Sequence, residues 1–255
     1  MLAFSFGQAP RSYLLPVALS VLVLMLSTMA SGDRPARPVA SQGVAGPAPH
    51  VAPDPEEVPR AVERILRVSV SLESNGVYGA GFLIDPHRGL ILTSYHVVED
   101  MQAPRASMRD GRRSSAQVIA TDRALDVALL SAEGLKSPHI PPPQLVDAAR
   151  LRPGEEVFAV GSPRKLPFTV SRGIVSFVER EMEDGRYLQL DMAINDGNSG
   201  GPVFTRHGEL VGMMSFILRR AQGLAFALPV TAATRAFPSV LNDASTSQVH
   251  EPRVP

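Results

Sequence analysis

Residues 195–202 read Asn195-Asp196-Gly197-Asn198-Ser199-Gly200-Gly201-Pro202, a single serine set among glycines. A nucleophilic serine needs an exposed hydroxyl, a base within hydrogen-bond reach and backbone N–H groups aimed at the developing oxyanion. Gly197 lets the backbone turn so that its own N–H and that of Ser199 converge, and Gly200-Gly201 allow close approach of a substrate chain. The same letters fit G-x-S-x-G, the nucleophile elbow of α/β hydrolases. That elbow runs directly into a helix and requires an acid and then a histidine downstream. Here Gly200-Gly201-Pro202 leads into Val203-Phe204, a poor helix start and a fair strand. The downstream histidines are His207, in the turn Arg206-His207-Gly208, and His250, near the C-terminus. The context rejects the elbow and places the base upstream.

Upstream, Leu90-Ile91-Leu92-Thr93-Ser94-Tyr95-His96-Val97-Val98 sets His96 immediately after an apolar strand. Thr121-Asp122-Arg123-Ala124-Leu125-Asp126-Val127-Ala128-Leu129-Leu130 sets Asp126 at the mouth of another. An aspartate that orients an imidazole must be buried and hydrogen-bonded to it, which suits Asp126 better than the more polar surroundings of Asp122. The chain order His96, Asp126, Ser199 is that of the chymotrypsin-type fold.

The strand pattern points the same way. Val68 to Leu72 alternates, Asn75-Gly76 is a two-residue hairpin turn, and Val77 to Ile84 returns. Short apolar runs recur at 90–93, 115–120, 127–130, 156–160, 169–177, 187–192, 202–204, 210–216 and 224–228, eleven in all. Many short strands separated by turns predict an antiparallel all-β barrel or sandwich. Pro141-Pro142-Pro143 divides them into two β units, about 60–140 and 144–232. A short helix is expected around Ala61 to Leu66, and 233–255 reads as a disordered tail.

The segments GAGFLIDPHRGLILTSYHVV, TDRALDVALL, LRPGEEVFAVGSPRKLPFTVSRGIVS, AINDGNSGGPVF, GELVGMM and GLAFALP resemble, in order and spacing, the protease domain of the HtrA/Deg family of trypsin-like serine proteases. The likeness covers about residues 66–232. It implies two six-stranded β-barrels with the triad in the cleft between them, the histidine at His96, the aspartate at Asp126, the serine at Ser199, and oxyanion donors at the N–H groups of Gly197 and Ser199. It also implies a substrate pocket lined by Ala193, Ile194, Met214, Ser215 and Phe216. No acidic residue stands at Ala193, so cleavage after Lys or Arg is not expected, and small or aliphatic residues are. By the same resemblance, unfolded or damaged proteins are the substrates and the domain forms a homotrimer. Members of the family usually carry PDZ domains, whereas about 25 residues follow Val230 here, so the expectation is a protease domain without one. The short turn at Ser74-Asn75-Gly76, where some relatives carry a long loop, argues against large cages. The alternative reading is a latent protease-fold binding or chaperone module whose loop 192–198 is ordered by a partner.

The remainder of the chain bears on location. Leu14 to Leu26 is apolar apart from Ser20, follows Arg11 and runs into Ser27-Thr28-Met29-Ala30, which marks residues 1–30 as a signal segment or a membrane anchor. Both remain open, because the span is short for a membrane helix yet Arg34 and Arg37 follow it. Residues 31–59, proline-rich and without apolar periodicity, read as a disordered tether. Export to the periplasm or cell envelope follows, with an inner-membrane tether through residues 14–30 as one form. With 25 Lys+Arg against 25 Asp+Glu in 255 residues, there is no positive excess to attract nucleic acid. The absence of cysteine excludes disulfides, thiolate nucleophiles and Cys-zinc sites. No H-x-x-x-H pair occurs, and the acidic stretch Glu179, Glu181, Glu183, Asp184 reads as a solvated hairpin tip, so no metal or cofactor is expected.

Overall fold

A computed structural model describes residues 54–101, 103–183, 185–217 and 223–241. The signal or anchor segment, residues 31–53 of the tether and 242–255 of the tail lie outside the described residues. Thirteen strands run in chain order: β1 Ser69–Ser74, β2 Val77–Asp85, β3 Leu90–Ser94, β4 Arg105–Met108, β5 Arg113–Ser115, β6 Gln117–Asp122, β7 Val127–Ser131, β8 Glu156–Gly161, β9 Thr169–Met182, β10 Gly185–Met192, β11 Pro202–Thr205, β12 Leu210–Ile217 and β13 Ala225–Pro229. Helices α1 Glu57–Leu66, α2 Tyr95–Val98, α3 Val230–Arg235 and α4 Pro238–Leu241 complete the elements used below.

The second unit is a closed six-stranded barrel, β10-β13-β12-β11-β8-β9. The first is a seven-stranded sheet ordered β5-β4-β1-β2-β3-β7-β6. Its two edge strands are consecutive in the chain, separated only by buried Ala116, so β5 and β6 amount to one strand bent at that residue. Counted that way the unit has the expected six strands. Its ladder stays open because the chain itself, rather than a row of hydrogen bonds, joins the two edges. Strands β4 and β5 carry Arg105, Arg113 and several serines; β4 alternates, burying Ala106 and Met108, but over only four residues. At the turn between β1 and β2, Asn75 and Gly76 both take positive φ, 51° and 82°. That is the two-residue geometry whose twist matches paired strands.

Strands β3 and β7 are buried almost end to end. One face of each fills the first unit, where Ile91 and Leu130 pack with Leu72 and Leu83. The other face gives Leu92 and Leu129 to a cluster with Tyr187, Met213, Phe226 and Leu228 of the second barrel. Burial on both faces is why these runs are continuously apolar rather than alternating. Helix α1 packs Ile65 and Leu66 against Phe158 and Phe204. Its Glu63 pairs with Arg109 at 2.8 Å, and its Glu57 with Arg206 and His207 at 2.9 and 2.5 Å. The helix thus begins four residues before the span expected from its apolar spacing. Residues 233–241 are folded, contrary to the disordered tail expected from 233: α3 buries Val230 and Ala233, and Phe237 closes the interface cluster. No described helix is long and apolar enough to cross a membrane.

Candidate active site

The register of β3 against β7 brings His96 to Asp126. Thr93 lies opposite Ala128 and Ser94 opposite Val127, so the residues that leave β3 and enter β7 emerge at the same end. The Tyr95 N–H extends the ladder to the Asp126 carbonyl at 3.0 Å. The carboxylate of Asp126 then accepts twice from His96: from its backbone N–H at 2.9 Å, and through Nδ1 at 2.7 Å. Asp126 holds a left-handed backbone, φ 54°, which a non-glycine residue keeps only when its surroundings impose it. With Nδ1–H committed to the carboxylate, Nε2 is the nitrogen left to act as a base. The imidazole is about half exposed and the Asp126 side chain 25% exposed, so the acid is less enclosed than expected. The hydrogen bond that His96 donates to the Asp126 carboxylate holds the His96 pKa above its ordinary value of 6.5. Partial desolvation opposes that shift, and the negative charges of Asp126 and Glu99 add to it.

Ser199 sits on two successive turns. The Asn198 N–H donates to the Asn195 carbonyl at 3.1 Å, and the Gly201 N–H to the Asn198 carbonyl at 3.0 Å. The third residue of each turn, Gly197 at φ 99° and Gly200 at φ 82°, takes the conformation that favours glycine. A Cβ on Gly200 would strike the Ala80 carbonyl and the Thr93 hydroxyl. The first unit holds this loop directly: Ala80 N–H donates to the Ser199 carbonyl at 3.1 Å, and the Ser94 hydroxyl reaches the Met214 carbonyl at 3.3 Å. That same carbonyl accepts the Gly200 N–H at 2.7 Å. Among the described residues, neither the Gly197 N–H nor the Ser199 N–H has an intrachain acceptor, which leaves both for a ligand oxygen. The Ser199 hydroxyl donates to the Ser215 carbonyl at 3.2 Å and makes no bond to His96.

Beside Ser199 a cavity of about 20 Å³ is lined by Ile194, Met214, Ser215 and Phe216, together with Asn195 and Asp196. Phe216 is fixed there by stacking on Phe226 at 4.9 Å and meeting Tyr187 edge-on at 5.1 Å. Ala193 does not line this cavity. It follows the end of β10 and alternates with buried Met192, so it is exposed. Asn195, Asp196, Thr93, Ser94 and Ser162 were missed, since a polar residue in a turn or apolar run carries no mark of what it touches. Among the described residues, no group of three or more His, Asp or Glu is arranged to hold a metal ion.

A two-unit β fold with a hydrogen-bonded histidine and aspartate on one unit, and on the other a glycine-flanked serine whose loop the first unit holds, defines the trypsin-like class. The chain belongs to the trypsin-like peptidase family, whose domain model matches residues 79–213. It is 36% identical over 176 residues to a probable periplasmic serine endoprotease DegP-like of Marinomonas sp. (strain MWYL1), covering 67% of this chain and 37% of that protein. It is 38% identical over 176 residues to the like-named protein of Halomonas elongata, covering 67% and 36%. Among solved structures, the HtrA-type protease AlgW with tripeptide matches at a TM-score of 0.66 and 28% identity, over 72% of this chain and 63% of that one. These names agree with the HtrA/Deg likeness of the motifs. The chain spans a little over a third of the length of the curated relatives it matches.

Proposed function

We propose that this chain is a serine endopeptidase that cleaves polypeptides through an acyl-enzyme. The observation that carries the reading is the doubly bonded His96–Asp126 pair beside a serine loop with two uncommitted N–H groups. In the first step the Ser199 hydroxyl swings from the Ser215 carbonyl to His96, and Oγ attacks the scissile carbonyl carbon while Nε2 takes the proton. The oxyanion forms against the N–H groups of Gly197 and Ser199. As the C–N bond breaks, the imidazolium returns the proton to the leaving amine. Water then repeats the sequence on the ester, with Nε2 again as base, and frees the acid. Asp126 keeps the proton on Nδ1 throughout and stabilises the imidazolium.

Ile194, Met214, Ser215 and Phe216 support a preference for small or aliphatic residues before the scissile bond, and the resemblance to the HtrA/Deg family supports unfolded or damaged proteins as substrates. The names of the relatives support a periplasmic location; a tether through residues 14–30 and a homotrimer belong to the same reading. Intact-mass labelling with a fluorophosphonate, beside Ser199→Ala, tests it. One adduct on the native chain and none on the variant is expected, and no adduct on either would overturn it. The Ser199–Ser215 hydrogen bond favours one second reading, a module latent until a partner turns the hydroxyl toward His96. Binding of an unfolded protein without cleavage or labelling would identify it.

A further inference from the structure

A groove of about 440 Å³ lies along β2 and the segment after β8, the two segments whose Ala80 and Ser162 hold the serine loop. Its floor is the outer face of β1, β4 and β5, where Ser71, Ser107 and Arg113 stand directly across from one another, and Arg105 stands across from Glu73 in the neighbouring row. Its wall is the segment after β8, carrying Lys165 and Phe168, and Tyr78 closes one end. The two halves are joined at the bottom by the buried Ser162 hydroxyl, which donates to the Ser71 hydroxyl at 3.0 Å.

The charges in the groove do not balance. Arg105 lies 3.7 Å from Glu73, and Arg109 is engaged by Glu63 at 2.8 Å. Among the described residues, Arg113 and Lys165 have no carboxylate partner, and the Lys165 ammonium lies over the Tyr78 ring at 5.1 Å. Glu73 is the one carboxylate lining the groove, against four cations.

The position of the groove relative to the serine gives it a direction. The acyl part of a substrate belongs on the β12 side, at Ser215 and Phe216. The leaving part must pass on the other side, between β2, whose Ala80 holds the Ser199 carbonyl, and Ser162, whose N–H holds the Gly197 carbonyl at 2.9 Å. Tyr78 precedes Ala80 by two strand residues, about 7 Å. A chain leaving the site therefore arrives between Tyr78 and Lys165 two to four residues beyond the scissile bond.

Resting on the endopeptidase reading above, we infer that this groove receives the leaving-group side of the substrate and selects polypeptides with acidic residues two to four positions after the cleaved bond. Arg113 and Lys165 are the selecting residues. They stand in solvent, so each contact is modest and weakened by salt.

The test uses the full chain and two quenched fluorescent peptides, identical up to the scissile bond and carrying Glu or Lys at the second to fourth positions after it. The ratio of their kcat/KM values is expected to favour the acidic peptide by about fivefold or more. It should fall as salt rises and invert in Arg113→Glu/Lys165→Glu. A ratio does not depend on how much of the variant is folded. A ratio near one in native protein that takes the fluorophosphonate, or a preference that survives the double variant, overturns the inference alone. No labelling and no cleavage of either peptide overturns the endopeptidase reading and this inference with it.

Discussion

The backbone N–H of Ser162 donates to the carbonyl of Gly197 across 2.9 Å, so the turn before the serine is held by the residue that follows β8. The fit between the two segments is close. A Cβ on Gly161 would lie 2.8 Å from the Asn198 Cα and would collide with the Asn198 side-chain amide, which is itself buried. Gly161→Ala should push the 195–199 turn off its support and misaim the Gly197 N–H. Losing one oxyanion donor typically lowers kcat by about 10²–10³. A loss of that order, measured by peptide cleavage with the circular dichroism spectrum retained, is the expected outcome. Full activity in the variant would mean the turn is not held from this side.

The pH dependence should report His96. Its hydrogen bond to Asp126 raises its pKa above the ordinary 6.5, so kcat/KM should climb with pH and reach half its plateau above that value. Asp126→Asn removes the main cause of the shift and should move the midpoint down while lowering kcat by about 10⁴. The His96 titration followed by NMR checks the midpoint independently of rate. An unmoved titration in Asp126→Asn would assign the shift to another group. The same linkage has a sign for stability. A raised folded-state value means that protonated His96 stabilises the fold below its unfolded pKa, and this contribution is lost as pH rises through the folded value.

Phe82, fully buried between the units, should be costly to truncate. Phe82→Ala removes a large side chain from a cluster that both units build, and about 3–5 kcal/mol of stability is expected to go with it. Urea unfolding measures this. A cost under about 1 kcal/mol would mean that the two units can close over the vacancy.

Gly76 offers the opposite case. It has φ 82° but nothing within 4 Å of where a Cβ would stand. Gly76→Ala therefore adds backbone strain without a clash and should cost only about 1 kcal/mol, with kcat/KM unchanged. Thermal unfolding and a peptide assay together separate it from Gly161→Ala, whose damage comes from contact.

What was legible in the sequence lies in local chemistry. The short apolar runs at 90–93 and 127–130 read as buried strands. The Asn75-Gly76 pair requires a tight hairpin, and glycines on both sides of Ser199 require turns. These, with the order His96, Asp126, Ser199, point to the two-unit β fold; the family is legible only through the resemblance of the motif segments around them to the HtrA/Deg proteases. Tertiary structure decided what depends on register and packing. The pairing of Ser94 with Val127 makes His96 and Asp126 neighbours, although thirty positions separate them. Strand β4 exists because β1 offers it an edge, and β5 because β4 does in turn; at four and three residues both are too short to stand out in the sequence. Ala193 points to solvent while Ile194, Asn195 and Asp196 reach the cavity, since the chain has left β10 at Met192 and the turn closed by the Asn198 N–H and the Asn195 carbonyl carries these residues toward Ser199. The supports of the serine loop, from Ala80, Ser94 and Ser162, are backbone and hydroxyl contacts between distant segments. A sequence does not display them, because almost any residue can supply a backbone N–H, and only the fold determines where it points.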